Sequence, residues 1–216
     1  AVNNLVPLLF LTFQRQFGIT LSQLALLVSL NFAIQMLVDL LCARYAVRVG
    51  YRTCVVGANA LCGLGLIGLG VLPYALPSAY AGVVCAMVLY ALGGGLLEAL
   101  TSPIVEAMPG EEKAAAMSML HSFYCWGHVA VVLLSTLYFV TVGIERWRFL
   151  PMLWAVLPLA NAYVFSRVPI NTFGSESATL PMRRLLRLPV FWLFFALMLC
   201  AGAAEQGMSQ WASLFA

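Results

Sequence analysis

Glu98 stands in the stretch LGGGLLEALTSPIVEAMPG, residues 92–110, a carboxylate set among leucine, alanine and glycine. An ionised carboxylate in hydrocarbon costs at least about 2.5–3.5 kcal/mol, so such a group must face protein or water, be paired, or hold a proton. Helical spacing sets Gly94, Gly95, Thr101 and Ser102 on its face, small residues that permit a close helix approach or an open cavity. A protonated glutamic acid bonded to a neighbouring helix would satisfy the same burial. The chemistry that an acid at this depth suits best is taking up and releasing a proton or holding a polar solute.

Other polar groups recur at helical spacing. Asn31, Gln35 and Asp39 follow one another at i, i+4 and i+8; His121, Tyr124 and His128 at i, i+3 and i+7, with Cys125 beside them. Glu205 and Ser209, and Gln206 and Gln210, form i, i+4 pairs next to Trp211, while Asn3 and Asn4 precede a helix-loosening Pro7. Any one Asn or Gln can be an interhelical hydrogen bond. Stripes on several helices at similar depth point instead to a shared hydrated cavity. Two histidines at i and i+7 lie about 10 Å apart along a helix axis, too far for one ion, so no metal site is expected. No GxSxG, HExxH or GxxxxGK[ST] occurs. The expectation is therefore neither an enzyme nor a nucleotide-driven pump, and no cofactor.

The elements that must position these groups follow from composition. Of 216 residues, 63% are hydrophobic and 9% charged, against roughly 45–50% and about 25% in soluble domains. That balance implies an integral membrane protein. The net charge of +3 reports topology, and without a basic stripe interleaved with aromatics no nucleic-acid partner is expected. About 20 apolar residues cross the hydrocarbon as a helix. Runs of that length fall near 21–43, 53–72, 79–105, 114–141, 148–167 and 189–216, and a shorter run at 1–14 reads as the second half of a first span. Seven segments result, the first and last incomplete, in a chain expected to be part of a longer protein.

The breaks are RQFGIT, RYAVRVGYR, PYALPS, MPGEEK and VGIERW, followed by the polar stretch 167–189. Alternate breaks carry eight lysines and arginines against three on the other set, which puts the 44–52, 106–113 and 167–187 loops in the cytoplasm. The domain reading is 1–167 as an N-terminal bundle of six helices, 168–188 as a cytoplasmic linker, and 189–216 as the start of a C-terminal bundle. Six cysteines, at 42, 54, 62, 85, 125 and 200, show no paired spacing and read as small buried packing residues.

ARYAVRVGYR (43–52) resembles the loop between the second and third helices of the major facilitator superfamily, roughly G-x-L-A-D-R-x-G-R-K. Arg48, Gly50 and Arg52 match; the usual Gly is Ala43 and the usual Asp is Val47. The resemblance implies a gating role for this segment, with Asp39 standing in for the missing acid and Arg44 or Arg48 as its partner. GLLEALTSPIVEAMP is similar to the fourth-helix pattern of the fucose-permease-like sugar symporters, roughly C-L-E-T-A-A-N-P-F-V. Glu98 falls on the proton-coupling acid of that group and Pro103 on its proline. MLHSFYCWG (119–127) resembles the group's L-A-Q-T-F-N-S-F-G, placing His121 and Tyr124 at cavity-lining positions, and AGAAEQGMSQW resembles its cavity-lining seventh helix. Asn3-Asn4 occupies roughly the place of an Asn-Asp pair, so Asn4 lacks the second coupling acid; Glu98 alone, or with Glu205, would serve.

The resemblance implies an all-α polytopic membrane bundle, the N-terminal six-helix half of a major facilitator carrier plus the first helix of the second half. It implies a monomeric secondary transporter of the cell membrane that moves a small polar solute, a sugar, by alternating access with proton symport. Glu98 and Glu205 would couple protons, and Asn4, Asn31, Gln35, His121, Tyr124, Gln206 and Trp211 would bind solute. Asp39, Arg44, Arg48, Gly50 and Arg52 would gate. Two alternatives stay open. One is a drug or metabolite exporter of the same superfamily, although span four holds no Arg and span five only Gly127 where exporters carry G-x-x-x-G-P. The other is a membrane receptor or assembly protein that moves nothing.

Overall fold

Backbone groups in hydrocarbon must pair within their own segment, so an apolar chain of this kind folds into helices. The computed structural model describes residues 2–107, 112–168 and 182–215, and among them it contains helices and no strand. The chain divides into a unit of residues 1–172 and a second of residues 173–216.

In the first unit, the run expected to end a first span is two short helices, α1 (Val2–Leu8) and α2 (Phe10–Phe17). Pro7 lacks an N–H, and two residues later the chain turns at Leu9, whose N–H reaches back only three residues to the Val6 carbonyl (2.9 Å). Helix α2 ends in an αL cap: Gly18, at φ 64°, donates to Gln14 O, and Ile19 donates to Phe13 O. Thr20 and Gln23 then form a capping box that starts α3 (Leu21–Val49). Four helices follow: α4 (Tyr51–Ala75), α5 (Ala79–Glu106), α6 (Lys113–Val142) and α7 (Phe149–Arg167), with a 3-10 turn at Ile144–Arg146. Among the described residues six helices are long and apolar enough to cross a membrane, five of them in this unit.

Helix ends depart from the expected breaks. RYAVRV continues α3 for about two turns past the apolar span, and one residue, Gly50, separates it from α4. A polar residue outside hydrocarbon need not leave a helix; what stops α3 is Gly50 at φ 92°, a backbone state open to glycine. PYA likewise belongs to α4, with Pro73 inside it. MPGEEK lies largely outside the described residues, as does most of the linker; of 168–188, the described part includes a short helix, α8 (Met182–Leu185).

The core lies where α4 packs between α5 and α7, and α5 against α3. Small residues bring these helices together. A Cβ on Gly65 would stand 2.6 Å from the Tyr90 backbone nitrogen, and one on Gly93 would stand 2.5 Å from the Ala58 carbonyl oxygen. Neither contact could be relieved by a rotamer change. At the end of the unit where α2, α4 and α7 meet, Trp147 is fully buried and its Nε1 donates to Gln16 Oε1 at 2.6 Å. Gln16 Nε2 donates in turn to the Tyr74 hydroxyl at 2.9 Å, and Phe13 and Phe17 pack edge-on to Trp147. Helix α6 is held more loosely. Its buried residues are Val131 and Ser135, and Ser135 Oγ accepts from Trp154 Nε1 of α7 (3.2 Å).

The second unit holds α8 and α9 (Pro189–Phe215). Trp192 Nε1 donates to the Leu186 carbonyl at 3.0 Å, Phe191 stacks on Phe195, and Trp192 meets both rings edge-on.

All six cysteines are free thiols, but the packing role expected of them holds only in part. Cys42 and Cys62 are buried and Cys54 half-buried; Cys85, Cys125 and Cys200 are exposed. An apolar run shows that a residue lies in a span, not which side of the helix it occupies.

Candidate functional site

Glu98 is carried by α5, which begins at Ser78, whose hydroxyl accepts from the Ala81 N–H. The triplet Gly93-Gly94-Gly95 sets the helix among its neighbours. Gly93 faces α4, while a Cβ on Gly95 would meet Gln35 Cα and Val38 Cβ of α3 at 3.2 Å. Gly94, between them, looks toward the Gln35 amide, with Nε2 3.6 Å from where its Cβ would stand. Glu98 follows Gly94 by one turn and is exposed. It lies eight residues before the end of α5, about 12 Å along the axis. The Thr101 hydroxyl, the next turn on, donates back to the Leu97 carbonyl.

The α3–α5 register places a second acid at the same depth. Helices α3 and α5 run in the same direction, with Gln35 and Val38 opposite Gly94 and Gly95. One turn further, Asp39 comes level with Glu98, and it too is exposed. Asn31 and Gln35 are buried, at 7% and 6% exposure, and Asn31 Oδ1 is a buried acceptor with no hydrogen-bond partner.

On α6, His121 lies eight residues after the start at Lys113. Because α5 and α6 are consecutive and antiparallel, this is the depth of Glu98. His121 and Tyr124 are exposed, for the buried contacts of α6 fall in its second half. The Tyr124 ring meets the half-buried His128 ring edge-on at 4.3 Å between centroids. The structure thus brings Asp39, Glu98 and His121 to one level of the first unit. Asn4 falls on α1, outside the residues whose side chains are described. In the second unit, Glu205 is exposed on α9, and Gln206 and Trp211 are half-buried.

Of the residues expected to gate, Arg44, Arg48, Gly50 and Arg52 lie near the α3–α4 junction, while Asp39 stands further back on α3. Arg44 and Arg48 are exposed, each with its guanidinium carbon 6.0 Å from the Tyr45 ring centroid. Asp39 makes no ion pair with either among the described residues. Five residues along a helix turn Arg44 about 140° from Asp39, which explains the separation. Arg52 Nη2 donates to the Val168 carbonyl at 3.0 Å, fastening the start of α4 to the end of α7.

Sequence reading passed over Gln16, Tyr74 and Trp147, which lie in or beside segments that read as loops. The available signal was aromatic: Phe17, Tyr74 and Trp147 all stand at span ends on one side of the membrane, where amphipathic rings collect. It also passed over Asn59, buried at 2% exposure, whose Nδ2 donates to the Val55 carbonyl at 2.9 Å.

The family model for the Major Facilitator Superfamily matches residues 1–216. No curated protein and no solved structure gives a significant match.

Proposed function

The chain belongs to the major facilitator superfamily, and from that premise we propose that it forms part of a proton-coupled carrier of a sugar or similar small polar solute in the cell membrane. A multi-pass membrane protein of this superfamily is a secondary transporter, moving small solutes across the bilayer. In the proposal, the central site opens alternately to either side as two helical halves rock about it. Glu98 takes the coupling proton, with Glu205 as a second acid. Asn4, Asn31, Gln35, His121, Tyr124, Gln206 and Trp211 hold the solute. The 44–52 segment gates, the carrier works as a monomer, and the 44–52, 106–113 and 167–187 stretches face the cytoplasm.

The observation that supports this reading is the exposure of Asp39, Glu98 and His121 at one depth within three membrane-spanning helices. Charged groups at that depth are costly unless they border water or protein. Protonation of Glu98 removes a charge and favours the closed passage; release to water on the other side restores it.

Uptake of a panel of radiolabelled hexoses into proteoliposomes, under an imposed pH gradient, tests the proposal. The wild type should accumulate at least one hexose against its gradient. Glu98→Gln should abolish accumulation and leave exchange of internal for external solute intact. Undiminished uphill transport by Glu98→Gln would exclude the coupling role, and export of solute against the gradient would favour the exporter.

A further inference from the structure

Two arginines at the end of α3 point to a partner that is neither solute nor proton. The apolar span of α3 stops at Cys42, whereas the helix continues to Val49. Arg44 and Arg48 sit one turn apart on this extension. They continue a stripe of Leu26, Ala33, Leu37 and Leu40 that is exposed throughout, with the leucines at 58%, 55% and 66% exposure. At 100° per residue this stripe lies diametrically opposite Asn31, Gln35, Cys42 and Ala46, the buried face of the helix. One straight face of α3 is therefore apolar for the length of the span and cationic immediately beyond it. Tyr45, exposed at 43%, stands between the two guanidinium groups.

The helix end accounts for only part of this pattern. Arg48 lies in the last turn and complements the negative helix terminus, but Arg44 is a turn too early for that. Arg52 holds the Val168 carbonyl and Arg167 lies over the Tyr163 ring at 5.4 Å, whereas Arg44 and Arg48 share the single Tyr45 ring, which leaves their N–H donors facing outward. A phosphodiester fits this arrangement, since two guanidinium forks one turn apart can each donate to its oxygens. Tyrosine at the headgroup level is the residue type expected beside it.

We propose that Arg44, Tyr45 and Arg48 bind the headgroup of an anionic phospholipid whose acyl chains lie along the Leu37–Leu40 stripe. The site is independent of which solute the carrier moves. Charge complementarity selects an anionic lipid over a zwitterionic one, because the latter brings its own cation.

Native mass spectrometry of the purified protein, titrated with phosphatidylglycerol and with phosphatidylcholine, tests this. The wild type should retain phosphatidylglycerol in preference. Arg44→Gln and Arg48→Gln should each weaken that binding about fivefold, and together about 25-fold. Arg15→Gln with Arg146→Gln, which removes the same charge at the opposite end, should leave it in place. Either single variant suffices if the double variant does not fold. Equal loss from the opposite-end pair, or no loss from either single variant, would overturn the proposal. So would a photo-crosslinker at Leu40 that captured protein in place of phospholipid in native membranes.

Discussion

Asn31, Gln35 and Asp39 have the same spacing in sequence and different fates in the structure. Each four-residue step advances 400°, so the stripe drifts 40° per step, and by Asp39 it has left the buried α3–α5 contact for its flank. Periodicity made the row legible, but not the point where it crosses from packing to exposure. Asn31 remains on the packed side with an unpartnered Oδ1. A desolvated acceptor costs about 1–3 kcal/mol, so Asn31→Leu should raise the thermal unfolding midpoint in detergent by several degrees. If Asn31 also meets the solute, the same variant should lose uptake while gaining stability. A lowered midpoint would show that the amide is a structural tie.

Between elements, the close glycine contacts and the aromatic–amide cluster carry opposite kinds of sensitivity. Gly65→Ala places a methyl group 2.6 Å from a backbone nitrogen, and such overpacking costs about 1–3 kcal/mol or more. Gly57, in the same helix with nothing within 4 Å of its would-be Cβ, should tolerate alanine and gain up to about 1 kcal/mol from helix propensity. Thermal unfolding of the two variants side by side separates the contact from the residue type. Gln16→Leu removes both the acceptor of Trp147 and the donor to Tyr74. It leaves the indole N–H of a fully buried ring unpaired, so a loss of about 1–3 kcal/mol is expected. Trp147→Phe, which removes that donor as well, should partly rescue Gln16→Leu in a double-mutant cycle. Six of the seven expected spans were legible because hydropathy is a local property that lipid enforces. Leu9 and Gly50, which break or end helices through backbone geometry, and the Gln16–Tyr74–Trp147 contact, which joins residues far apart in sequence, needed the folded chain.

At the scale of the molecule, helices that alternate in direction tie every loop to a side once one is fixed. Ser78 and Glu145, both exposed, lie at turns between α4 and α5 and between α6 and α7, whereas Glu112 precedes α6 at the other end. Arginine and lysine counts assign the Glu112 side to the cytoplasm. The exposed Arg184 belongs to the arginine-rich 167–187 stretch that the proposed topology puts in the cytoplasm. In a background with all six cysteines replaced, Ser78→Cys and Glu145→Cys should react with a membrane-impermeant maleimide on intact cells. Glu112→Cys and Arg184→Cys should react only after permeabilisation. The inverse pattern would turn the carrier over, and with it the direction in which a Glu98 proton travels. Labelling of Glu112→Cys and Ser78→Cys from the same side would break the alternation itself, and with it the common depth of Asp39, Glu98 and His121 on which the transport reading rests.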